Sequence, residues 1–166
     1  MKYEKALKII EKFNIDTGLR DFCTNKCKGS CCLRCPDRCV KYNERRIACS
    51  IFFCPPILIT LFPGKDERFA YKTILNDVKS HIKRYIDAPN IFYHHPNRKE
   101  MDNIRKSEFP DSIREIELLD TSRIYKIVSN ISNDQVHYFQ NRERDIQEDI
   151  DKKRIALIRF LRRDGE

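Results

Sequence analysis

Eight cysteines crowd into 32 residues: Cys23, Cys27, Cys31, Cys32, Cys35, Cys39, Cys49 and Cys54 are all the cysteines of a 166-residue chain. A thiolate is a soft ligand that takes zinc or iron–sulfur clusters readily. A tetrahedral zinc site needs four ligands at about 2.3 Å, and gaps of two to four residues let one turn supply two of them. Five of the cysteines (23, 27, 31, 35, 39) lie four apart. On a continuous helix each step of four would drift by about 40°. Gly29 and Pro36 argue against such a helix, so the spacing predicts single turns that each present a pair of sulfurs. Side chains of the adjacent Cys31 and Cys32 diverge, and so feed two sites or one larger cluster. Eight ligands make two sites of four, or one site with spare thiols. The C-x2-C-x2-C-x3-C-P run of bacterial ferredoxins is absent; Cys32, Cys35 and Cys39 match only its later part. Isolated cysteines are ordinarily buried, inert thiols, but this density points to metal. Zinc and an iron–sulfur cluster both stay open.

Compartment supports the same chemistry. Residues 1–14 are charged throughout, with no apolar core of the kind a signal peptide carries. The expectation is a cytoplasmic chain in which disulfides do not persist. The longest apolar run, Ile47 to Phe62, has Pro55-Pro56 inside it and falls short of the about 20 residues a membrane span needs. It reads as core, with no membrane partner.

The formal charge is +8. Residues 1–60 hold 12 Lys and Arg against 6 Asp and Glu, while residues 61–166 hold 21 against 19. The basic excess thus sits on the cysteine half. A metal held by four thiolates is a dianion when it is zinc, and so is an oxidised four-iron cluster with its thiolates. Lys26, Lys28, Arg34, Arg38, Lys41, Arg45 and Arg46 are the residues that offset such charge. The competing reading is a nucleic-acid surface, with Tyr42, Phe52 and Phe53 as stacking groups; compensation is the favoured one.

The elements that must position these thiols are helical. Tyr3, Ala6, Leu7, Ile10 and Phe13 fall on one face of a helix over about residues 2–14, punctuated by Thr17-Gly18. Residues 19–41 show no apolar period and predict loops and short turns around ligands. A second helix is expected from about Asp66 to Asp87, with Tyr71, Ile74, Leu75, Val78, Ile82, Tyr85 and Ile86 as its stripe and Pro89 as its stop. Ser112 to Leu119 predicts a short helix capped by Asp111 after Pro110. Ile124 to Ile131 fits helix or strand. A last helix is expected over about Asn133 to Arg163, its stripe interrupted by Glu143 and Arg154. The fold class is therefore mainly α, a Cys-rich irregular module packed with several helices. Residues 1–62 form the N-terminal helix plus the module, and residues 63–166 a helical region, with Pro63-Gly64 as the candidate boundary.

From Cys35 the pattern becomes more specific. Cys35-Pro36 is followed by Cys39, Tyr42, Glu44, Arg45, Cys49, Phe52 and Cys54-Pro55. This resembles the YkgJ-type family, the CxxCxxCC zinc- or iron-chelating proteins, whose later stretch reads like C-x-I-Y-E-x-R-P-x-x-C-R-x-F-P-C. The gaps from Cys39 to Cys49 and from Cys49 to Cys54 match, and Tyr42, Arg45 and Phe52 are in register. Cys27, Gly29, Cys31 and Cys32 look like the family's C-x-G-x-C-C end. Departures are the longer first gap from Cys23 to Cys27, the reduced section between Cys32 and Cys39, and Lys41, Asn43, Arg46, Ser50 and Phe53 at positions where other residues are usual. The resemblance covers the cysteine segment alone. It implies a metal- or iron–sulfur-binding module without a settled activity. One branch resembles flagellin lysine methylases, which leaves open an iron–sulfur accessory enzyme acting on a protein; no Gly-rich cofactor loop accompanies it here.

Other candidates have plainer readings. His94-His95 before Pro96 is a loop pair, and His81 and His137 are ordinary packed or surface residues. The run from Lys152 to Arg163 holds six basic residues and no acid. It suits the C-terminal end of a helix dipole, with Glu148 and Asp149 four residues ahead of Lys152 and Lys153. No H-E-x-x-H, P-loop or G-x-S-x-G occurs, so no catalytic residue is assigned.

Overall fold

The computed structural model describes residues 1–27, 55–86 and 96–163. They are mainly helical, and among them the only β pairing is an isolated antiparallel bridge between Lys2 and Glu108. The helices are α1 (Tyr3–Asp16), α2 (Leu19–Asp21) running into a π-turn (Phe22–Lys26), α3 (Pro55–Leu61), α4 (Lys65–Lys83), α5 (Arg98–Lys106), a 3-10 stretch (Asp111–Leu118), α6 (Thr121–Ser129) and α7 (Asn133–Arg163).

Helix α1 buries Tyr3, Ala6, Ile9, Ile10 and Phe13, the face its apolar period predicts. Its last turn is closed by the Thr17 hydroxyl, which donates to the Phe13 carbonyl at 2.6 Å. Gly18 then adopts φ 70°, a left-handed conformation that side-chain-bearing residues resist. Prolines open α3, where their missing N–H groups cost nothing. Helix α4 buries Tyr71, Ile74, Leu75, Val78 and Ile82, with Asp66 and Glu67 in its positive first turn.

Two caps are reciprocal. The Asn97 side chain accepts from the Glu100 N–H at 2.9 Å, and Glu100 accepts from the Asn97 N–H at 2.8 Å. Ser132 and Gln135 repeat the arrangement ahead of α7, at 3.1 and 2.8 Å. Each satisfies two N–H groups that a helix start leaves open.

Two expectations change. The short helix expected after Pro110 is a 3-10 helix from Asp111 to Leu118, and the expected Asp111 cap is absent. The reason is in the spacing. Ile113 and Ile116 are buried and Leu119 is half-buried, and a period of three matches the eclipsed face of a 3-10 helix. Residues 124–131, ambiguous by pattern, lie mostly in α6. There Asp120 accepts from the Arg123 N–H at 2.9 Å, and Ile124 and Val128 are buried four apart.

The buried side chains form one cluster drawn from every element, from Tyr3 to Phe139. The 3-10 stretch lies against α1 and α4, and α3 packs on α6 and α7. Phe62 and Tyr71 stack with centroids 5.1 Å apart. Across the Pro63-Gly64 turn, Arg68 donates to the Phe62 and Pro63 carbonyls at 2.8 and 3.1 Å. Arg123 reaches Glu67 at 3.1 Å. No described helix is long and apolar enough to cross a membrane.

Candidate metal centre

Cys23 and Cys27 are the two of the eight predicted ligands that fall within the described residues. Cys31, Cys32, Cys35, Cys39, Cys49 and Cys54 lie outside them, as do Tyr42, Phe52 and Phe53, Pro89, and His94 and His95. The described pair stands on a more ordered support than a loop. Leu19 starts a helical turn straight after Gly18, and the chain then widens into one π-turn. The Cys27 N–H donates to the carbonyl of Phe22, five residues back, at 2.8 Å. Single π-turns recur at functional sites because the wider turn re-aims side chains.

The turn is fixed to the helical body at its far end. Gln140 Nε2 on α7 donates to the Cys27 carbonyl at 3.1 Å. Lys26 Nζ donates to the carbonyl of Ile131. Phe22 and Cys27 are buried at 3% and 4% exposure, while Cys23 is half-buried at the edge of the same cluster. The two cysteines sit four positions apart, one within the π-turn and one closing it. Among the described residues no three His, Cys, Asp or Glu side chains gather into a metal-binding group. Cys23 and Cys27 are two of the eight predicted ligands, and the other six follow them in the chain.

Residues 19–26, within the stretch expected as loops and short turns, form a short helical turn and one π-turn. Leu19, Phe22 and Cys27 are the buried positions, at steps of three and five. The five-residue step matches the π hydrogen bond. Counting cysteine as an apolar residue brings out that period.

His81 has a structural job. It is 4% exposed and lies against Phe109 and Tyr85, at centroid distances of 4.5 and 5.4 Å. The Ser107 hydroxyl donates to the Ile104 carbonyl at 2.7 Å, so it accepts from His81 Nε2–H at 2.8 Å. That arrangement calls for a proton on Nε2. Burial first, then Arg84 and the N-terminal amine, push its pKa below the usual 6.5. A depressed histidine pKa favours the folded state above the unfolded pKa, and that advantage is lost as pH falls. The unfolding midpoint should therefore drop from pH 7 to pH 5 more steeply in the wild type than in His81→Leu. Equal slopes would refute the assignment. His137, in contrast, is exposed on α7.

No family model, curated protein or solved structure matches the chain.

Proposed function

We propose that this chain is a cysteine-ligated metal-binding protein whose helical body carries the site. Cys23, Cys27, Cys31, Cys32, Cys35, Cys39, Cys49 and Cys54 supply the ligands, to zinc or to an iron–sulfur cluster. The observation that carries the reading is their confinement to 32 residues. The resemblance of residues 35–55 to the YkgJ-type proteins supports it. So does the anchoring of the Cys23–Cys27 turn to α7 and to the Ile131 carbonyl, since precise ligand placement needs a rigid support. Metal binding then couples to folding of the segment that brings the remaining ligands. Cys35→Ser and Cys49→Ser should each lower the metal bound per chain, read by elemental analysis of protein purified without oxygen. Unchanged stoichiometry in both would refute the ligand set.

A further inference from the structure

Helix α7 is longer than the body that supports it. Its 31 residues extend about 46 Å at 1.5 Å per residue. Val136 and Phe139 are buried, and Gln140 holds the Cys27 carbonyl. Beyond that point Asp145, residues 148–150 and residues 152–156 are exposed, with Asp151 partly so. Ile150 and Ile155 remain 51% and 50% exposed. In proteins most helical stability comes from packing of an apolar face rather than from intrinsic propensity.

The sequence of the projecting part says what it packs against. Ile146, Ile150, Leu157 and Leu161 recur at gaps of four, seven and four, an 11-residue repeat that keeps them within about 60° of one another on a straight helix. Charge divides the same stretch in two. Residues 143–151 hold five acids and one Arg, while residues 152–163 hold six bases and no acid. A second α7 laid parallel would set acid against acid and base against base. Laid antiparallel, it sets each acidic half against a basic half, twice, by one operation. A two-fold axis between Asp151 and Lys152 places position 146 level with position 157 of the second copy, 149 level with 154, and Ile150 level with Lys153, a residue whose aliphatic stem covers apolar surface while its charge stays in water. Isologous pairing of this kind is the commonest form of self-assembly.

We infer that the projecting half of α7 pairs antiparallel with that of a second copy of this chain, which makes the protein a two-fold dimer. The Asp149–Lys153 ion pair, at 2.7 Å within one helix, is exposed and so is weakly held; both groups are available to the interface.

Sedimentation of the full chain as purified, freed of nucleic acid, reads the assembly directly. The wild type should sediment as a dimer that weakens with added salt. E148K/D149K/D151K makes both halves basic, and K152E/K153E/R154E opposes that sign. Each variant alone should dissociate at least about tenfold more readily, because like charges then face each other, while an equimolar mixture should recover the dimer. Circular dichroism establishes that both variants keep their helices. A wild type that is monomeric at about 100 μM, a dimer indifferent to both variants, or a mixture that stays monomeric would each overturn the inference.

Discussion

Cys27→Ser is expected to lose the metal site while leaving the helices in place. Serine has nearly the size of cysteine, but its hydroxyl is a hard, neutral oxygen that does not replace a thiolate on zinc or iron. Cys27 is the last residue of the anchored turn. Its N–H is held by Phe22 and its carbonyl by Gln140. Those backbone bonds survive the substitution, so the loss falls on the ligand atom. Changes to groups that merely orient a ligand cost about 10–100-fold in affinity, and removal of the ligand itself should cost more. A second effect is smaller: Cys27 is 4% exposed, so a more polar hydroxyl there carries a desolvation cost. Metal content and far-UV circular dichroism separate the two. The expected outcome is metal lost with helicity kept; full metal content in C27S would show that Cys27 is only a core residue.

The largest loss of stability is expected at Phe62. Its side chain is fully buried at 0% exposure, and it stacks on Tyr71, itself 1% exposed. The Phe62 carbonyl also takes a bond from Arg68, so the backbone beside Pro63-Gly64 is pinned and resists collapse into a cavity. Phe62→Ala should therefore cost about 3–5 kcal/mol. For a chain of this size each kcal/mol moves the unfolding midpoint by about 2–4 °C. A fall of roughly 6–20 °C is expected on that scale. Phe69→Ala, at an aromatic on the same helix as Tyr71 that is 73% exposed, should shift the midpoint little. Similar shifts for the two variants would contradict the assignment of Phe62 to the core.

Helices with a clear 3.6-residue stripe and good end signals were legible in the chain itself. Helix α1 has both, with its Thr17-Gly18 stop; α4 has the stripe and its start after Pro63-Gly64 but ends at Lys83, ahead of the expected Asp87; and α7 over Asn133–Arg163 was found despite a stripe interrupted by Glu143 and Arg154. Segments of other period were legible only as a short helix or short turns, without their type. The 3-10 stretch from Asp111 carries apolar residues three apart, which an α template fits loosely. The π-turn hides its five-residue step behind a cysteine, a residue that a search for ligands does not count as core. Long-range ties leave no local trace at all. Nothing near Lys26 or Gln140 announces that they meet Ile131 and Cys27, more than 100 positions away in the chain. The ligand set rests on residue type and spacing, because thiolate chemistry depends on which atoms can converge. Only the first two members, Cys23 and Cys27, fall within the described residues, where Cys23 lies in the π-turn and Cys27 closes it.

Metal analysis with a visible absorption spectrum, on protein purified without oxygen, tests the central claim most directly. The account predicts bound metal that disappears with the cysteines: colourless protein with about one or two zinc ions per chain, or brown protein with about four irons per cluster. Protein that carries neither zinc nor iron, and that takes up neither when they are supplied with its thiols reduced, would contradict it.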